Sequence, residues 1–81
     1  MAKADKTIAG MRANPHGWTI ADVERACSQA GLACRPPKRG SHYKISHPDL
    51  PEILTVPFKR PIKAVYIREL LRMIDQLEKA K

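Results

Sequence analysis

The sequence predicts a single α+β domain, a three-stranded antiparallel meander with helices packed on one face. Three observations lead to that class. Apolar residues recur at helical spacing over residues 20–30 and again over 64–77. Between those segments lie three short runs bounded by glycine and proline, and the middle one alternates from His42 to His47. In order, the elements read α, β, β, β, α behind a short leading helix, which is a two-layer arrangement around one core.

Met1 to Lys6 reads as a loose tail. Thr7 to Ala13 makes a short helix with Ile8 and Met11 facing inward. Asn14-Pro15-His16-Gly17 ends it, since proline disfavours helix in the residue before it and glycine permits a tight turn. Trp18 is expected as a core anchor at the start of the next helix. Thr19 is a good N-cap, and Asp22 three residues later completes a variant of the capping box. Ile20, Val23, Ala26, Cys27 and Ala30 form the buried stripe, and Gly31 is the C-terminal stop.

Leu32 to Arg35 is the first strand. Pro36-Pro37-Lys38-Arg39-Gly40 is a stiff, basic connection. In the second strand His42, Lys44 and Ser46 lie on one side, while Tyr43, Ile45 and His47 lie on the other. The apolar side should meet the helices, so His42 should face solvent on the open face of the sheet. Pro48-Asp49-Leu50-Pro51 is a turn, and Glu52 to Pro57 is the third strand. A basic loop leads to the last helix, Ala64 to about Leu77. Val65, Ile67, Leu70, Leu71, Ile74 and Leu77 are its expected apolar stripe. The folded core should span about residues 18–77 of one domain.

Hydrophobic residues make up 43% of the 81-residue chain, too many for wholesale disorder. No apolar run approaches the ~20 residues needed to span a bilayer and no secretory signal is visible, so a cytoplasmic protein without a membrane partner is expected. Net charge is +7. Seven cations lie from Arg35 to Lys63 against only Asp49 and Glu52, so this stretch carries +5. That excess favours a polyanionic partner, nucleic acid before membrane, because neither helix is strongly basic on one face.

Cys27 and Cys34 both fall in apolar patterns and are expected as buried, reduced thiols. A zinc site would need them together with His42 and His47. Their separation by six residues exceeds the usual two to four, so no metal is expected.

The most informative stretch is Gly40-Ser41-His42-Tyr43-Lys44-Ile45-Ser46-His47-Pro48, directly behind the basic loop. Imidazole titrates near pH ~6.5 and supplies both acid and base forms. Beside clustered cations it can move protons next to a phosphodiester. RNA carries its own nucleophile, the 2′-hydroxyl. A catalyst must remove that proton, stabilise charge on phosphorus and protonate the leaving 5′-oxygen. His42 is the candidate general base or acid, the two roles remaining open. Lys38, Arg39 and Lys44 are candidates for holding phosphate, with Gly40 allowing the close turn and Ser41 beside it. Lys59, Arg60 and Lys63 would track the RNA backbone farther out. His47 is expected in a structural role and His16 is incidental.

The αβββα order is the layout of a double-stranded-RNA-binding domain. Gly40-Ser41-His42, the His47-Pro48 pair, Thr55-Val56-Pro57 and the basic run into Tyr66-Ile67-Arg68 resemble the HicA family of toxins, the small mRNA interferases of type II toxin–antitoxin systems. The resemblance extends over about residues 18–75. It implies a double-stranded-RNA-binding-like fold, metal-independent endoribonuclease activity on mRNA without a small-molecule cofactor, and a catalytic histidine that falls on His42. It also implies a HicB-type antitoxin covering the active face. Lys44 departs from the family, many of whose members carry an apolar residue there.

Two other readings stand beside this one. A non-catalytic RNA-binding module of the double-stranded-RNA-binding type would use the same cations for shape and phosphate. A helix-turn-helix DNA binder would need a base-reading helix, whereas the helix after Thr19 carries Asp22 and Glu24 and leads into strands.

Overall fold

In the computed structural model, which describes residues 6–57 and 61–79, the chain forms α1 (Lys6–Ala13), α2 (Ile20–Ala30), β1 (Ala33–Arg35), β2 (His42–Ser46), β3 (Leu54–Pro57) and α3 (Ala64–Lys79). The result is a small α+β fold with two N-terminal helices, a three-stranded antiparallel sheet and a C-terminal helix packed against it.

The entrance to α2 is a complete capping box. The Thr19 hydroxyl accepts the Asp22 amide at 3.4 Å, and the Asp22 carboxylate accepts the Thr19 amide at 3.0 Å. Each contact satisfies a donor that the helix start leaves open. The exit is Gly31 at φ 82°, a left-handed position that a Cβ disfavours, and its amide closes on the Cys27 carbonyl.

The sheet order is β1-β2-β3. Ala33, Cys34 and Arg35 stand opposite Ser46, Ile45 and Lys44. His42, Tyr43, Lys44 and Ile45 stand opposite Pro57, Val56, Thr55 and Leu54. Ile45 and Val56 are 0% and 1% exposed, so this side of the sheet closes the core. Met11, Val23, Ala26, Cys27, Leu32, Ile62, Ile67, Leu70, Met73, Ile74 and Leu77 complete it.

The start of β3 and the stripe and end of α3 need correction, while Trp18 packs against the core as expected. The third strand starts at Leu54, not Glu52, because the β2–β3 ladder ends at the Ile45–Leu54 pair; Ile53 is left 63% exposed. In α3, Val65 is 52% exposed while Met73 is buried. Val65 precedes Ile67 by two residues, about 200° around a helix, so the two cannot share a stripe. The helix also continues to Lys79. Trp18 lays its ring on Gly10 of α1, where an added Cβ would meet it at 3.0 Å. Its indole N–H donates to the Asn14 carbonyl at 2.6 Å, and its own carbonyl accepts the Ile62 amide at 2.8 Å. Trp18 therefore fastens α1 and the approach to α3.

Arg12 and Asp75 join α1 to α3 at 2.7 Å. Among the described residues, no helix is long and apolar enough to cross a membrane.

Candidate active site

Strand parity and register together build one charged face. In an antiparallel pair, residues directly opposite point to the same side. The rung Arg35–Lys44–Thr55 therefore lies on the side away from Ile45 and Val56, and all three residues are exposed. His42 shares that side by its two-residue spacing from Lys44, and it too is exposed.

The 36–41 connection folds over the same end. Gly40 takes φ 82°, which turns the loop back into β2. The outcome is a cleft of about 400 Å³ lined by His42, Arg35, Lys38, Arg39 and Lys44, with Pro36 and Pro37 as a rigid wall. No carboxylate lines it among the described residues. Four cations thus surround one imidazole. Like charges set directly opposite each other, as Arg35 and Lys44 are, destabilise a sheet by up to about 1 kcal/mol. An anion laid across that rung reverses the sign of the interaction.

Lys38, Arg39 and Lys44 line this cleft, Gly40 is exposed in the loop between Arg39 and β2, and Ser41 is half-buried next to His42. Arg35 joins them, although its sequence position alone does not single it out. The signal for it lies in pairing: once β1 and β2 are antiparallel, Arg35 falls opposite Lys44. Lys63 goes elsewhere, to a hollow of about 620 Å³ that it shares with His16, Pro57 and Tyr66. Pro57 is also the cross-strand partner of His42. Lys59 and Arg60 lie outside the described residues.

His47 is not a second member of the cleft. Its Nδ1 accepts the Asp49 amide at 2.9 Å, and its carbonyl accepts the Leu50 amide at 3.0 Å, closing the turn after β2. Its ring borders Ile8, Gln29, Ala30, Ile74 and Leu77, all from the helical layer. The four residues that zinc would need are therefore divided, with His42 on the open face and Cys27 in the core. No cluster of three or more metal-binding side chains forms among the described residues. Nor does any described side chain hydrogen-bond or ion-pair with the His42 ring.

Against known proteins, the chain matches no family model, no curated protein and no solved structure. The resemblance to HicA toxins thus rests on its sequence motifs alone.

Proposed function

We propose that this chain is a metal-independent endoribonuclease, an mRNA interferase of the HicA kind on a double-stranded-RNA-binding-like scaffold, and the toxin of a toxin–antitoxin pair. The observation that carries the reading is one exposed imidazole, His42, in a cleft with Arg35, Lys38, Arg39 and Lys44 and no lining carboxylate among the described residues. Phosphate enters such a cleft on charge. The 2′-hydroxyl attacks the adjacent phosphorus and the bond to the 5′-oxygen breaks. Neutral His42 takes the hydroxyl proton, or its protonated form gives one to the leaving oxygen; water serves the other transfer. Arg35 and Lys44 balance the negative charge that grows on the phosphoryl oxygens. A HicB-type antitoxin of acidic or neutral character, laid over this face, blocks RNA and takes up the same cations.

A second reading rests on the same four lining cations, which hold phosphate whether or not His42 transfers a proton. In it the face is an RNA-binding module without chemistry. One experiment separates the two. RNA cleavage and RNA binding are measured for wild type in EDTA and for His42→Ala. The nuclease reading expects full cleavage in EDTA and, in the variant, retained binding with cleavage reduced by on the order of 10²–10⁴. Equal cleavage by both proteins, or activity that returns only with Mg²⁺, overturns it.

A further inference from the structure

The only two cysteines of the chain meet across the α2–β1 contact, on the side of the sheet away from His42. Cys27 is 1% exposed on α2, and Cys34 is half-buried at the middle of β1, an edge strand. Both side chains line one cleft where α2 packs on β1. This open cleft of about 310 Å³, lined by Glu24, Cys27, Ser28, Leu32 and Cys34, brings solvent to the pair. Two thiols on one cleft, one reached by solvent and one behind it, have the geometry of an attacking and a resolving cysteine.

We propose that Cys27 and Cys34 form a peroxide-oxidisable dithiol in which Cys34 reacts first and Cys27 resolves it, leaving a disulfide between α2 and β1. The Cys34 thiolate attacks one oxygen of hydrogen peroxide. The O–O bond breaks, hydroxide leaves and is protonated to water, and Cys34 becomes a sulfenic acid. The sulfur of Cys27 then attacks the Cys34 sulfur. The S–O bond breaks, the hydroxyl departs with the Cys27 proton as a second water, and the S–S bond forms. Two thiols are oxidised by two electrons and one peroxide is reduced to two waters.

The order of events follows from the pair's asymmetry. The interaction with Cys27 lowers the Cys34 thiol below its ordinary range against the opposing effects of burial and the Glu24 charge. The interaction with Cys34, then burial, pushes the Cys27 thiol up. Desolvation, then the charge of Glu24, raises the phenol of Tyr43, which keeps it from adding a negative charge beside Cys34. Cys34 immediately precedes Arg35, so the disulfide anchors the strand that carries a cation of the RNA cleft.

The test treats the full chain with a small excess of hydrogen peroxide and follows it by intact mass and thiol titration. Expected is loss of two hydrogens and of both thiols in the monomer, reversed by dithiothreitol. Cys27→Ala should stop at a sulfenic acid on Cys34, trapped by dimedone. Cys34→Ser should keep its Cys27 thiol through the same exposure. Because the wild-type result needs no substituted core residue, a poorly folded Cys27→Ala leaves the proposal testable. Covalent dimers through Cys34, addition of two or three oxygens without a disulfide, or unreacted thiols would overturn it. None of these outcomes depends on RNA cleavage.

Discussion

The two faces of the sheet use one strand for opposite purposes. On the helix side, Tyr43 and Ile45 join Val56 and Leu54, and Ile45 is 0% exposed. On the other side His42 and Lys44 stand in solvent with Arg35 and Thr55. The two histidines mark the contrast. His42 opens β2 on its exposed side, whereas His47 follows the last strand residue and lies in the turn. His42 has cations around it; His47 is held by the Asp49 amide. Residue type alone therefore does not separate the two histidines; their positions, one on the strand and one in the turn, do.

The largest effect should come from exchanging these histidines for alanine. His42→Ala is expected to lower RNA cleavage by on the order of 10²–10⁴ with an unchanged unfolding curve. His47→Ala should leave cleavage within a few-fold and lose about 1 kcal/mol of stability, because the Asp49 amide loses its acceptor. Equal cleavage losses in the two variants would erase the contrast between the faces.

Ile45→Ala tests the closed face. A fully buried isoleucine truncated to alanine should lose about 2–5 kcal/mol in urea unfolding, a large share of what so small a domain holds. An unchanged midpoint would show that Ile45 does not pack as described.

Lys44→Thr sharpens the opposite face. Removing one of two like charges across the rung should stabilise the free protein by up to about 1 kcal/mol. The same change should weaken RNA binding and reduce its salt slope by about 0.7 on single strands, one phosphate contact being lost. A variant that is less stable, or binds with the wild-type slope, would separate the rung from RNA.

The smallest effect belongs to the Arg12–Asp75 bridge, remote from the open face. The hydrogen bond to Arg12, before its charge, holds the Asp75 carboxyl below the ordinary range. A folded value lower than the unfolded one adds stability above the ordinary carboxylate range, and that gain fades as pH falls through the folded value. Both side chains are nearly half-exposed, 40% and 46%, so solvent screening limits the gain to about 0.2–1 kcal/mol. Asp75→Asn should flatten the acid limb of the stability curve by that amount and leave cleavage untouched. An acid limb identical to wild type would remove the bridge from the balance.

Much of this organisation is legible in single residues. Thr19 with Asp22, and Gly31, mark α2 because capping and left-handed turns are local properties of the backbone. The alternation from His42 to Ser46 likewise yields the exposed histidine, since a strand's period is set within the strand. Less legible were Val65, whose apolar character misstates its angle on α3, and Ile53, whose β propensity is not met by a ladder that ends at Leu54.

The sequence by itself determined the element order, the caps, the basic segment and the side of the sheet on which His42 lies, all of which follow from backbone geometry over a few neighbouring residues. Tertiary structure decided which distant residues meet. Antiparallel register set Arg35 beside Lys44, the folding of the chain end sent Lys63 to a different hollow, and packing of α2 on β1 joined Cys27 to Cys34. Those pairings depend on how strands align and helices dock, and burial of the shared core sets that alignment through contacts no local stretch of sequence contains.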